Sequence, residues 1–376
     1  VKMVHTIIYD GDQHTDFIRG LGVVFDVPLD EEIYNRHIRF SGENGGLWVE
    51  PVQALTGRRT LSREVDYYAK QINGEEIPQK ESFSDRQKFL LDNWASWNDF
   101  KLYQGNSNGF RIQKRTNDQS AWIDAGAGGR SSGLVFAGDV SGGLAVCIRD
   151  FWQSFPSALE VRDARTGTAK IHAWLWSPEG PAMDMRHYDT LAWGHSLEAS
   201  YEDVQPGFST PLGVGRTSEI LLFVSSEVPS AKTLDGFSQQ ANKPALLAAL
   251  PEYLHNIPVF GVWSLPDHST KGKRWIEDQL HKAFKYYQLE VEQRDWYGFW
   301  DFGDVMHSYH DDRHVWRYYL GGMAWDNTEL GTDVWLWYSF LRTGREDVFR
   351  MAEAMTRHTT EVDCYHLGRF AGLGSR

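Results

Sequence analysis

The chain has 376 residues, enough for two domains with separate cores, and a formal net charge of −13. That acidity excludes a nucleic-acid-binding role, which needs a basic surface against phosphate, and weighs only mildly against a polyanionic ligand, for which a few local cations suffice. No run approaches the roughly 18 apolar residues of a membrane span.

Residues 1 to about 230 read as β-rich, and an antiparallel β-sandwich is predicted over 1–233. Short runs of β-formers, among them 46–52, 109–112, 134–137, 144–148, 159–161 and 219–224, alternate with Gly, Asn and Asp turns. In the run 170–176, Ile171, Ala173 and Leu175 fall on one face and Lys170, His172, Trp174 and Trp176 on the other, the period of two of a half-buried strand. Asn73-Gly74, Asn108-Gly109 and Thr166-Gly167 are hairpin signals. Gly126-Ala127-Gly128-Gly129 reads as a loop, with no helix after it to cradle a phosphate. Arg58-Arg59 follows a Thr56-Gly57 turn; the pair either grips a carboxylate bidentately or is a solvated turn. Tyr67, Tyr68, Trp94 and Trp97 either line a sugar site or pack. Cys147 and Cys364 define no disulfide framework and read as buried free thiols. The chain opens at Val1 with no signal peptide, as a mature or excised segment would.

A linker is expected over 229–243, and the pattern turns helical over 234–376. A short helix is predicted over 244–254. A long one over 270–294 carries Trp275, Ile276, Leu280, Ala283, Phe284, Tyr287 and Val291 at threes and fours. Helices over 328–341, with Leu330, Val334, Trp337 and Leu341 on one stripe, and 346–357, with Val348, Met351, Ala352 and Met355, flank a turn at Gly344, an expected C-cap. They form an antiparallel pair.

The chain has no nucleophile elbow and no paired-cysteine metal site. His307, His310, Asp311, Asp312 and His314 are the right ligand types for a divalent ion, but their spacing is not that of one helix face. They read as hydrogen-bonded loop residues, and no metal or cofactor is expected. Tyr365-His366 pairs a phenol with an imidazole, suited to acid and base work or to capping. Behind Trp325, Asn327 and Glu329 suit an N-cap and a first helical turn; Asn327 equally suits a cleft that holds a carboxylate.

Four runs, Trp300-Asp301-Phe302-Gly303-Asp304, Ala324-Trp325-Asp326-Asn327-Thr328-Glu329-Leu330, Phe340-Leu341-Arg342-Thr343-Gly344-Arg345 and Glu361-Val362-Asp363-Cys364-Tyr365-His366-Leu367-Gly368, together with Phe40-Ser41-Gly42-Glu43, Gly46-Leu47-Trp48-Val49-Glu50-Pro51-Val52 and Leu55-Thr56-Gly57-Arg58-Arg59, resemble the exo-acting rhamnogalacturonan lyases. The resemblance implies a central antiparallel β-sandwich followed by the first helical hairpins of an α/α toroid; either further sequence completes the toroid or these helices pack onto the sandwich. It implies β-elimination at galacturonate in the acidic polysaccharide rhamnogalacturonan I, and a secreted protein. Such chemistry needs a neutralised C5 carboxylate, a base for the C5 proton and an acid for the departing O4. The resemblance offers Asn327, Arg58 or Arg313 for the first and His366, Tyr365 or His307 for the others, with Arg59, Trp325 and Glu329 at the substrate. Two alternatives stand beside it. One is a glycoside hydrolase on a similar toroid, with carboxylates drawn from Asp301, Asp304, Glu329 and Asp333. The other is a non-catalytic carbohydrate-binding fragment.

Overall fold

Strand-period and helix-period segments sort into two compact units in the computed structural model, which describes residues 1–57, 61–186, 210–257, 259–307, 309–310, 314–316, 326 and 330–374. The first unit comprises Val1–His5, Arg19–Ala182 and Ser218–Pro244; the second comprises Thr6–Ile18, Met183–Thr217 and Ala245–Arg376.

Among the described residues of the first 225, twelve strands run: β1 (Lys2–Ile8), β2 (Leu21–Pro28), β3 (Arg36–Ser41), β4 (Leu47–Pro51), β5 (Asp99–Asn106), β6 (Gly109–Arg115), β7 (Ile123–Gly128), β8 (Leu134–Asp139), β9 (Gly142–Ile148), β10 (Ser157–Arg162), β11 (Thr168–Trp176) and β12 (Gly215–Ser225). They form two six-stranded antiparallel sheets, ordered β1-β12-β9-β8-β3-β4 and β2-β11-β10-β5-β6-β7. In β11 the residues Ile171, Ala173 and Leu175 are buried and their neighbours half-buried, the alternation expected from sequence. Aromatic rings join the sheets: Phe40 meets Trp48 at 5.9 Å, and Trp48 meets Phe100 of the opposite sheet at 6.1 Å.

Three helices attend the sandwich. Between β4 and β5, α1 (Tyr67–Asn73) and α2 (Asp85–Asp92) close a satellite core of Tyr34, Leu55, Leu61, Ile77, Phe83 and Leu91. Asn73-Gly74 is thus no hairpin: Gly74, at φ +75°, is the C-cap of α1. A hairpin and a helix end both demand a left-handed residue, so the dipeptide does not tell them apart. The expected linker holds α3 (Ala231–Asn242), whose N-cap Ser230 accepts from the Thr233 amide. Leu234 and Ala241 on it pack on Leu134, Phe136, Ala145 and Cys147. Gly126 to Gly128 belong to β7 rather than to a loop, paired with Ile112 to Phe110 of β6. A ladder needs backbone only, and a Cβ on Gly128 would lie 2.6 Å from the Phe110 ring.

The second unit carries α4 (Pro251–His255), α5 (Lys271–Arg294), the short strands β13 (Tyr309–His310) and β14 (Val315–Trp316), α6 (Thr332–Thr343) and α7 (Glu346–Glu361). The helix expected over 244–254 forms only from Pro251. Gly344, at φ +64°, caps α6 and turns the chain into α7, as expected. The core gathers Phe284 of α5, Trp296, Val305, Leu336 and Phe340 of α6, and Val348, Ala352 and Met355 of α7. On α6 the buried stripe is Thr332, Leu336 and Phe340, and Val334 and Leu330 are exposed. The helix is apolar on two sides, so its own periodicity does not decide which side faces inward. In the first half of α5, Trp275, Ile276 and Leu280 are exposed rather than packed as the stripe predicted.

Phe100 is fully buried at the meeting of the two sheets. Phe100→Ala is expected to cost about 3–5 kcal/mol. Urea unfolding should show it as a lower midpoint at unchanged slope.

Candidate functional site

After α5 the chain turns through Asp295 in the left-handed region and buries Trp296, Tyr297, Phe299 and Trp300. It then lies against α7 at Gly303. This residue has φ +114°, and a Cβ there would stand 2.2 Å from the carbonyl oxygen of Ala354. Only glycine permits both the conformation and the approach.

The approach brings Asp304 to His358 in the last turn of α7. His358 Nε2 lies 3.6 Å from Asp304 Oδ2 and 3.1 Å from Asp363 Oδ1, on the residues that follow the helix. The three are 3%, 5% and 4% exposed in the order Asp304, His358, Asp363. Asp326, fully buried, ties in through its amide, which donates to the Val305 carbonyl at 2.8 Å. Arg216 of β12 donates from Nη2 to the Phe302 carbonyl at 3.0 Å. The Thr217 amide donates to Glu361 Oε2 at 2.8 Å, and the His366 amide to the Gly213 carbonyl at 2.7 Å.

Burial pushes the Asp304 carboxyl up to about 7; neighbouring His358 opposes this, and the charges of Asp363 and Asp326 add to it. Burial alone would lower His358, but the hydrogen bond to Asp363 and the charges of Asp363 and Asp304 outweigh it, and its pKa is raised. The cluster therefore holds protons near neutrality. It ties together three described stretches: 300–307, 326 and 362–366.

Those stretches carry or adjoin the residues singled out in the sequence. His366 is exposed, and its Nε2 is 3.1 Å from the Glu361 carbonyl oxygen. A carbonyl only accepts, so Nε2 carries the hydrogen and, in the neutral ring, Nδ1 keeps the lone pair a base needs. Tyr365 is 1% exposed and packs on Phe370 at 5.9 Å between centroids, so the adjacent pair is split between core and surface. His307 is half-buried. Arg58, Arg59, Arg313, Trp325, Asn327 and Glu329 lie outside the described residues. Of the carboxylates considered for hydrolysis, Asp301 is exposed, Asp304 is in the buried cluster, and Asp333 is half-buried with Oδ1 accepting from the Val334 amide at 2.8 Å. In the His/Asp segment, His314 Nδ1 meets the Tyr309 hydroxyl at 3.3 Å, while Asp311 and Asp312 lie outside the described residues. Among the described residues no group of three or more His, Cys, Asp or Glu is arranged to hold a metal ion. Cys364 is half-buried rather than buried, its thiol 3.2 Å from the Thr359 carbonyl.

Sequence reasoning assigned no role to His358, Asp363 or Arg216. One signal was present. The α7 stripe of Val348, Ala352 and Met355 continues at the same spacing onto His358 and Thr359, and both are buried. A histidine at a core position needs a polar partner, and Asp363, the second acid downstream after Glu361, supplies it.

The fold defines a sandwich-and-toroid protein. Its first 239 residues match the family model described as PcRGLX-like protein central beta sandwich domain, and residues 244–376 match that of PcRGLX-like protein C-terminal alpha/alpha toroid domain. The chain belongs to this rhamnogalacturonan lyase-like family. It is also similar to the uncharacterized protein YetA of Bacillus subtilis (strain 168), with 44% identity over 377 residues. That alignment takes in 100% of this chain and 43% of YetA, so the chain spans less than half of that relative's length.

The shifts of Asp304 and His358 act in the same sense on stability. An unfolded aspartate releases its proton near 3.9 and an unfolded histidine near 6.5. Because both folded values are raised, the contribution is full below the unfolded values and is lost as pH rises through the folded ones. The thermal midpoint of the second unit is expected to fall between about pH 5 and about pH 8, and Asp304→Asn to flatten that slope in calorimetric scans. Gly303→Ala should destabilise the same unit by more than about 2 kcal/mol, read by denaturant melts of the full chain.

Proposed function

We propose that this chain takes part in β-elimination on rhamnogalacturonan I as an exo-acting polysaccharide lyase of the extracellular space. Family membership carries this reading. The convergence of the 300–304 and 361–368 runs, with Asp326, on one set of loop anchors supports it.

In this reading Asn327, with Arg58 or Arg313, neutralises the galacturonate carboxylate, so that charge developing at C5 on deprotonation is stabilised. Arg59, Trp325 and Glu329 contact the sugar. His366 takes the C5 proton on Nδ1; its exposure and its Nε2 contact with the Glu361 carbonyl suit that role. His307 or Tyr365 returns a proton to O4 of the leaving sugar. The C5–H and C4–O4 bonds break, a double bond forms between C4 and C5, and water is not consumed.

Incubation with rhamnogalacturonan I is expected to raise the ultraviolet absorbance of an unsaturated uronate. His366→Ala should lower kcat by about 10²-fold or more, as for loss of a general base, with the far-ultraviolet spectrum unchanged. New reducing ends without the absorbance rise would replace the lyase with a hydrolase. Binding without turnover would leave a carbohydrate-binding module.

A further inference from the structure

The second unit has a concave site that shares no residue with the loop cluster. A cavity of about 750 Å³ lies along α5 and α6, within the range of about 300–1,000 Å³ typical of small-molecule sites. The segment before α5 lines one side of it and is tied to α6 at two points. Tyr338 Oη donates to the Phe260 carbonyl at 3.0 Å, and Arg342 Nε donates to the Ser264 carbonyl at 2.6 Å.

Two indoles, Trp263 and Trp335, line the cavity, both half-buried. Neither indole N–H donates to a described residue. His255 meets the Trp263 ring edge-on at 5.1 Å and lines the same wall. The charged lining is balanced. Arg342 Nη2 lies 2.5 Å from Glu277 Oε1, and Lys273 Nζ lies 2.6 Å from Asp267 Oδ2. Glu277 Oε1 also accepts from the Asp267 amide at 3.3 Å, while Oε2 accepts from no described residue.

This chemistry selects against an anion. Both cations already have a carboxylate partner, and an incoming carboxylate would meet Glu277 and Asp267. What the wall offers is flat aromatic surface, indole donors and a carboxylate oxygen: stacking for a C–H face and hydrogen bonds for hydroxyls. We propose that this cavity is a subsite for a neutral pyranose, a sugar unit without a carboxylate. The inference deepens the proposed function and rests on it for the polymer in which that sugar alternates with the acidic one. It places recognition of the neutral unit on α5 and α6 and leaves the acidic unit to the loop cluster.

The test is a saturation-transfer NMR titration of the full chain with methyl α-L-rhamnoside and, separately, with galacturonate. The unvaried chain is compared with Trp263→Ala and Glu277→Gln, the second keeping shape while removing charge. The rhamnoside is expected to saturate the signal, galacturonate to bind at least tenfold more weakly, Trp263→Ala to abolish binding and Glu277→Gln to weaken it several-fold. Absence of saturable rhamnoside binding, tighter binding of galacturonate, or full retention of affinity in Glu277→Gln would overturn the assignment. Conversion of rhamnogalacturonan I to unsaturated product is followed in parallel. Rhamnoside binding without product would keep the subsite and remove the lyase. Product formation with KM unchanged in both variants would keep the lyase and remove the subsite.

Discussion

Taking a carboxylate out of water costs several kcal/mol unless a partner offsets it, and in the second unit Asp304 and Asp363 both face one imidazole, His358. The cost is met only if three backbone stretches stay where they are. Gly303 must lie on α7, Asp363 must follow the helix end closely, and Val305 must receive the Asp326 amide. Most of what distinguishes this unit from a plain helix bundle follows from that demand. The aromatic run before Asp304 is itself buried, and Arg216 holds the Phe302 carbonyl two residues from Asp304. Removing His358 would leave two buried carboxyls facing each other without their shared partner, a heavier penalty than the loss of either single contact.

The same arrangement separates rigidity from chemistry. The groups that hold the loops are under a tenth exposed, while His366 and Asp301 face solvent a few residues away. Loops at helix ends can then differ in the side chains they present without disturbing the anchor. The cavity along α5 and α6 is built differently, from surface ion pairs and rings, with one lining segment strapped to α6 by two hydrogen bonds. In the proposed reading, one region positions a reacting group, and the other presents flat surface and hydroxyl partners.

Much of the architecture was legible in the sequence because it is local. The period of two in β11 and the glycine between α6 and α7 are set by neighbours a few residues apart. The buried face of α6 was not legible, since Val334 and Leu336 are equally apolar and only packing against the core chooses between them. Nor was α3, whose single apolar stripe is short and lies in a stretch rich in polar residues. At the site, Asp304 and Asp363 stood in runs that drew attention, yet their role depends on His358, which lies on a helix read only for its apolar stripe. Contacts between side chains distant in sequence leave no periodic trace. The exposure of Trp275 and Ile276 was hidden for a similar reason: periodicity marks a face as apolar but does not say that something covers it.

The two cysteines fall one in each unit, and their surroundings differ. Cys147 lies beneath α3 with its thiol pushed up to about 12 by burial, and Cys364 is half-buried just after α7 with its thiol also raised by burial. A raised, shielded thiol reacts only when its cover opens. The chain thus contains two built-in chemical clocks. Alkylation of Cys147 reports the opening of the sandwich, and alkylation of Cys364 reports the fraying of the loop that carries His366, so the lifetimes of the two units can be timed separately in one molecule.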